Sequence, residues 1–481
     1  MSPLDIELRV AASKKPLTLS YTDTELNVKN NSVDRVPLRQ VIGALHKDRS
    51  LELSFVGRRK KTDPMALTKL VGTVDNVDAD VLDAWISTLL HLAYEGGRVK
   101  RGRRLKVIIN PHGGTRKGAT IFNKSVEPIL RAAECTLDII HTERMGHAYE
   151  IAKSIALDYD AIVLVSGDGV IHETFNGFAH HEQPVNAFNI PLAVIPTGTG
   201  NGLSLNILGM ADGFDVCAAA LNVVKGLAMK VDVFSFVQNG KRTISFMSQA
   251  LGLAADLDIG TDHLRWMGEP RFMYGFLRGL IQFKACPIQL SYKAVELDKN
   301  KMFDDFQQCR TKAVDCNVAQ SEIPPQSANV ETALPPLKYS MTDEEGWTVL
   351  DEPILYVYAG TGPYVGRDLM TFPVSLPNDG LIDIAVQLAS SRSDVLAAAP
   401  GGPKGEHFWR PNFKYIKAYA YRVKPLEPHK SVAVDGEFFP LEEFQVETHQ
   451  ALATVLSPHG YYAAEPPPRP SETTKNRYNS R

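Results

Sequence analysis

Hydrophobic positions change their period twice along this chain. Between residues 105 and about 226, short apolar runs alternate with stretches in which apolar residues recur every three or four positions. Residues 105–110, 136–142, 161–165 and 191–195 predict strands. Residues 119–134 and 147–157, the stretch after 169 and two further stretches up to Gly226 predict helices. The run 161–165, Ala-Ile-Val-Leu-Val, has no polar alternation, so it predicts a strand covered on both faces. Such alternation predicts a parallel sheet with helices on both sides. Ahead of it, residues 17–21, 36–41 and 51–56 predict short strands. Residues 79–94 predict one amphipathic helix, with Val81, Leu82, Trp85, Leu89, Leu90 and Leu92 largely on one side. After Gly226 strands dominate: 229–237, 243–248, 288–292, 354–359, 381–387, 415–423, 431–434 and 444–448, with 264–284 as the clear helix. An antiparallel β-sandwich lobe is expected there. Residues 299–347 and the tail after Tyr462 are polar and carry clustered prolines, so they read as disordered. The expected organisation is a β-rich unit over 1–98, an α/β lobe over 99–226, a β-sandwich lobe over 227–462 and a tail over 463–481.

Composition narrows the partners. A net charge of −3 gives no electrostatic footprint for nucleic acid. The five cysteines are scattered without a CxxC pair, which fits a reducing compartment and argues against a zinc site. No apolar run approaches 18 residues, so membrane contact is expected to be peripheral. The basic stretch 96–106, GGRVKRGRRLK, reads either as a solvated linker or as a patch for anionic membrane surfaces.

Three predicted strand ends carry small, polar turns. They are Asn110-Pro111-His112-Gly113-Gly114-Thr115-Arg116-Lys117-Gly118, Ser166-Gly167-Asp168-Gly169 and Pro196-Thr197-Gly198-Thr199-Gly200-Asn201. The first is not a Walker loop, because Ala119 stands where that pattern wants Lys, and none matches GxGxxG. One such turn more often just reverses the chain. Three on successive strands share one sheet edge, where open α/β sheets bind ligands. Asp168 reads either as a helix N-cap or as an acid–base group.

The segments IINPHGG, HTERMGHA, VSGDGVIHETFNG and IPTGTGN resemble the diacylglycerol-kinase-type catalytic lobe. Residues 254–261 and 264–269, Arg271-Phe272 and the late VDGE of 434–437 are similar to sphingoid long-chain base kinases (sphingosine kinases). The resemblance covers roughly residues 105–295 and 350–456. It implies nucleotide contacts at Asn110, Pro111, His112, Gly113 and Gly114, at Thr142, Glu143, Arg144, Met145 and Gly146, and at Glu173. Further ones fall on Gly198, Thr199 and Gly200, on Arg265 and Arg271, and on Asp435, Gly436 and Glu437. It implies lipid contacts at Ser166, Gly167, Asp168, Gly169 and Asp258, with Asp168 as general base and Glu437 as its rival. Mg²⁺ would be held at Asp435 or Glu437. His112 stands where Arg is common, and Arg116 replaces a glycine of the first loop. The amino-terminal unit resembles, in pattern only, a pleckstrin-homology-like module.

The residue chemistry agrees. Phosphoryl transfer needs positioning and charge neutralisation, which glycine turns, helix amino termini and two arginines supply. Surface salt bridging is the plainer role for Arg265 and Arg271. A carboxylate such as Asp258 would hold a protonated amine beside the reacting hydroxyl, with Asp256 two residues away on the same strand face. Phe272, Met273, Phe276, Leu277, Leu280, Ile281 and Phe283 line either a lipid-tail pocket or ordinary core. The expectation is a cytoplasmic, peripherally membrane-bound kinase that uses ATP and Mg²⁺ to phosphorylate sphingosine, sphinganine or phytosphingosine. Its rivals are a diacylglycerol or ceramide kinase, an NAD kinase with its own GDG turn, and a catalytically inactive lipid sensor. Oligomeric state is left open.

Overall fold

The computed structural model describes residues 6–10, 16–30, 33–74, 77–114, 116–258, 274–275, 278–279, 283–316, 333–427 and 431–470. The amino-terminal unit is seven antiparallel strands and one helix. The strands are β1 (Ile6–Arg9), β2 (Leu17–Tyr21), β3 (Glu25–Lys29), β4 (Val33–Pro37), β5 (Val41–Lys47), β6 (Ser50–Gly57) and β7 (Ala66–Val74), in the order β4-β3-β2-β1-β7-β6-β5. The expected strands 17–21 and 51–56 are β2 and β6. Residues 36–41, expected as one strand, are split: Pro37 ends β4, a tight turn covers 38–40 and Val41 opens β5. The helix Ala79–Ala93 buries Leu82, Trp85, Leu89 and Leu90 as its spacing predicts. That core does not stop at the unit. It runs on through Val107, Ile109, Phe122, Ile129 and Val223 of the next lobe.

The α/β lobe is built on parallel strands β8 (Arg104–Ile109), β9 (Thr136–His141), β10 (Ala161–Ser166) and β11 (Leu192–Pro196), in the order β9-β8-β10-β11. All six residues of β10 are buried. The long strand Phe444–Ser457 lies beside β11 and pairs antiparallel with Leu227–Gln238 and Phe413–Pro425. One sheet therefore passes from the first lobe into the second. There, antiparallel strands surround a core that includes Phe234, Leu251, Val357, Ile384, Tyr421 and Phe444. The strand expected over 243–248 is two, Lys241–Ser245 and Ser248–Gly252.

Four expectations need correction or fall outside the described residues. Residues 299–316 are not disordered but form the helix Lys299–Cys316, whose polar surface hides a narrow apolar stripe of Met302, Phe303 and Phe306. Residues 333–347 are strapped onto the second lobe: Glu447 accepts the N–H groups of Lys338 and Tyr339 (3.0–3.2 Å), and Gln445 donates to Tyr339 O (2.8 Å). The start of the tail is packed too, with Ala464 buried and its carbonyl accepting from Arg310 at 2.5 Å. The stretch 96–106 is no free basic patch. Lys100 pairs with Asp160 (2.7 Å), Arg101 with Glu134 (3.4 Å), Lys106 with Asp138 (3.0 Å) and Arg104 with Asp158, while Arg103 is buried against the carbonyls of Val223 and Gly226 (2.5 and 2.6 Å). Most of the helix expected over 264–284 lies outside the described residues. No single helix among the described residues is long and apolar enough to cross a membrane.

Candidate active site

The three turns do share one edge, and they touch. Asn110 Oδ1 accepts the N–H groups of His112 (2.9 Å) and Gly113 (3.0 Å), which curls the first turn back on itself. A Cβ on Gly114 (φ 55°) would lie 2.4 Å from Thr197 O. A Cβ on Gly198 would lie 2.3 Å from Gly167 Cα, and one on Gly167 2.6 Å from Gly200 O. Backbone packed this closely admits only glycine. Gly198→Ala is expected to force the second and third turns apart. The cost is about 1–3 kcal/mol of stability, with loss of any ATP-induced rise in melting temperature; thermal unfolding with and without ATP measures both. Arg116, which replaces a glycine of the first loop, sits at φ 58°, a conformation glycine adopts without strain.

Asp168 opens the helix Asp168–Ala179 but does not cap it; Gly167 is the cap residue. Its carboxylate reaches the start of the helix Gly202–Asp212 instead. Oδ2 accepts from Gly202 N at 2.8 Å, and Oδ1 accepts weakly from Leu203 N at 3.4 Å. The residue is only 8% exposed. Burial pushes its carboxyl up to about 6, against the opposing pull of those two N–H groups and with the negative charge of Asp435 adding to the rise. A half-satisfied carboxylate at this value can take up a proton near neutral pH.

The loop 142–146 follows β9. Thr142 is buried and Met145 is 84% exposed. Arg144 pairs with Glu150 (2.7 Å), and Glu143 N donates to His147 Nδ1 (3.0 Å). Glu173 accepts the N–H groups of Gly146 (3.0 Å) and Ala148 (3.1 Å), so it fixes this loop at the start of the helix His147–Lys153.

From the second lobe, Ser431–Val434 and Glu437–Pro440 form a hairpin with Asp435 (φ 51°) and Gly436 (φ 83°) as its two loop residues. That is the type I′ geometry an Asp-Gly pair predicts. Asp435 is more than a turn residue. Its Oδ1 accepts from Ser245 Oγ (2.8 Å), Met247 N (3.0 Å) and Ser248 N (3.0 Å), and its Oδ2 from Phe246 N (3.1 Å) and meets His172 Nδ1 (2.8 Å). Both oxygens are filled by protein donors. The Asp435 carboxylate, expected as a metal ligand or nucleotide contact, is thus engaged with protein groups. Glu437 remains, and its Oε1 would lie 3.3 Å from a Cβ on Gly169, over the start of Asp168's helix. No cluster of three metal-type ligands occurs among the described residues.

The structure thus brings together Asn110, Ser166, Gly167, Asp168, Gly169, Gly198, Gly200 and the Asp435–Glu437 hairpin. Arg265 and Arg271 lie outside the described residues. Asp258 ends the helix Leu253–Asp258, not a strand, and its side chain is not described, nor is that of Asp256. Of the proposed tail-pocket residues only Phe283 is described; it lies under Arg392, 5.7 Å from the guanidinium. Sequence reasoning passed over His172, although its place four residues after Asp168 puts it on the same helix face.

A model of the diacylglycerol kinase catalytic domain matches residues 104–236, and a model of a domain of unknown function matches residues 8–95. The chain is 32% identical over 413 residues to sphingoid long chain base kinase 4 of Schizosaccharomyces pombe, with 85% of this chain and 84% of that one covered. The chain belongs to the sphingoid long-chain base kinases. The kinase is also 29% identical to sphingoid long chain base kinase 5 of Saccharomyces cerevisiae, spanning 62% of that longer chain, and 28% identical to human sphingosine kinase 1, spanning 94% of it. A Bacillus anthracis crystal structure described as a candidate diacylglycerol kinase superposes with a TM-score of 0.52, covering 74% of the kinase and 96% of that chain, at 21% identity, which speaks for the two-lobed fold alone. The 104–236 match contains all three turns of the kinase. The hairpin that faces them from the second lobe lies beyond it.

Proposed function

We propose that the kinase transfers the γ-phosphate of ATP to the primary hydroxyl of a sphingoid long-chain base, giving the 1-phosphate. The observation that carries this reading is Asp168: a buried carboxylate, raised to about 6, set where three glycine turns close on one another. The backbone of Gly114 and Gly200 offers N–H donors to the triphosphate, while Gly113 N and Gly198 N already donate to the side chains of Asn110 and Asn201. Asp168 accepts the hydroxyl proton on Oδ1, the less occupied oxygen, as the substrate oxygen bonds to the γ-phosphorus and the bond to the β-phosphate oxygen breaks. Asp168 later returns that proton to solvent. Glu437 is the acidic residue left free to hold Mg²⁺, which when bound neutralises phosphate charge. Arg265 and Arg271 are assigned to the phosphates by their motif, and Asp258 to the substrate amine. A diacylglycerol or ceramide acceptor has no such amine, so it is not favoured.

The cytoplasm is the proposed compartment, with peripheral contact at a membrane to collect the lipid. The seven antiparallel strands and closing helix of residues 6–93 are compatible with a pleckstrin-homology-like module. The test is ATP-dependent phosphorylation of phytosphingosine, sphinganine, diacylglycerol and ceramide side by side, with Asp258→Asn in parallel. Only the two free amines are expected to be phosphorylated, and Asp258→Asn is expected to lose at least about tenfold in kcat/KM for them. Equal use of diacylglycerol or ceramide would overturn the substrate assignment.

A further inference from the structure

His172 stands one helical turn beyond Asp168 and has no part in the mechanism above. Its side chain is 11% exposed and meets that of Asp435, which is fully buried. Four donors from residues 245–248 already hold the Asp435 carboxylate. Such a carboxylate is an acceptor only, so the proton of this contact belongs to His172 Nδ1. Asp435 cannot rotate away without breaking several bonds at once. The next contact along the same helix is of the same kind: Asn176 Nδ2 donates to Ile244 O, and Ile244 N donates to Asn176 Oδ1, both at 2.9 Å. Two successive turns of Asp168's helix are thus pinned to the second lobe. The His172 pin fastens the loop residue two places before Glu437.

We propose that His172 is a positioning residue for phosphoryl transfer. By donating Nδ1–H to Asp435 it fixes the hairpin, and so sets where Glu437 stands over the amino terminus of the helix that carries Asp168. The spacing between the base in one lobe and the free acid in the other then depends on this hydrogen bond, while the Asn176–Ile244 pair holds the next turn of the helix. Binding of either substrate alone does not need that spacing; the transfer step does. This inference rests on the roles proposed above for Asp168 and Glu437.

The test uses the full-length kinase as His172→Ala, His172→Asn, Glu437→Gln and the double variant His172→Ala/Glu437→Gln, with steady-state kinetics in both substrates. Asn carries an amide N–H close to where the imidazole Nδ1 stands. His172→Ala is expected to lower kcat by about 10- to 100-fold, as a small misplacement at a reacting centre does, with KM for ATP changed less than about threefold. His172→Asn is expected to restore kcat to within about threefold of wild type, and in the Glu437→Gln background His172→Ala is expected to cost less than about threefold more. Additive losses, an Asn variant no better than Ala, or a loss carried by KM would each overturn the inference. Should the Ala variant not fold, the Asn variant decides alone: near-wild-type kcat supports positioning, and a loss comparable with Glu437→Gln overturns it. A wild-type protein that phosphorylates no sphingoid base sinks the function itself. Additive losses in an active enzyme sink only the role of His172.

Discussion

Asp168→Asn is expected to lower kcat by about 10²- to 10⁴-fold, the range a positioned general base contributes. The substitution keeps shape and keeps an acceptor for Gly202 N, so fold and ATP affinity should persist. Stability gives a second readout with a definite sign. Burial raises the carboxyl of Asp168 from its ordinary 3.8 to about 6 in the folded chain. Above pH 6 the folded protein therefore holds an ionised group that its surroundings disfavour, and this weakens the fold by up to about 3 kcal/mol. The penalty fades as pH falls through 6 and is nearly gone near pH 4; below both values the group is protonated in both states. The Asn variant should melt higher than wild type at pH 8 and lose that advantage near pH 4. Wild-type kcat/KM should fall below about pH 6, and no such limb should remain in the Asn variant. A variant of near-normal rate would move the base to Glu437.

Much of this site was legible in the sequence because strand ends announce themselves. Five consecutive apolar residues before Ser166-Gly167-Asp168-Gly169 place that turn at the edge of a buried strand, and β10 lies there. The Asp435-Gly436 turn was equally readable, because its backbone conformation depends on two adjacent residues. What the sequence hid was long-range. Nothing near Asp168 says that its partners are Gly202 and Leu203, or that Asp435 is filled by donors from residues 245–248. Averages misled as well. The helix Lys299–Cys316 is so polar overall that its three-residue apolar stripe did not register, yet Met302, Phe303 and Phe306 are nearly inaccessible to solvent. The cations of 96–106 suggested a surface patch because their acids lie far off in sequence, at Glu134, Asp138, Asp158 and Asp160.

Deleting residues 1–95 is expected to leave no soluble, folded kinase. The sequence presents that stretch as a unit of its own, but its packing does not. The helices Glu127–Ala132 and Val216–Lys225 lie against β5 and β6. A Cβ on Gly43 of β5 would come within 2.2 Å of Ala132 O, so the two backbones are in direct contact. Lys225 is 2% exposed, donates to Ala93 O at 2.8 Å and lies 3.2 Å from the centre of the Tyr94 ring; burial lowers its amine to about 6. Tyr94 in turn donates to Ile42 O at 2.7 Å. Arg58 joins Asp212 and Asp215 across the same boundary. Truncation would strip cover from Ile129, Leu130, Val223 and Val224, all now buried. At about 1.5–3 kcal/mol for each side chain fully exposed, that approaches the whole net stability of a domain, about 5–15 kcal/mol. It would also open the surroundings of Lys225 to water, so the amine would charge and lose the carbonyl that now receives it. Soluble yield and a cooperative thermal transition of the 96–481 fragment measure the outcome. A well-folded, active fragment would show that the amino-terminal unit is an appendage rather than part of the catalytic lobe's core.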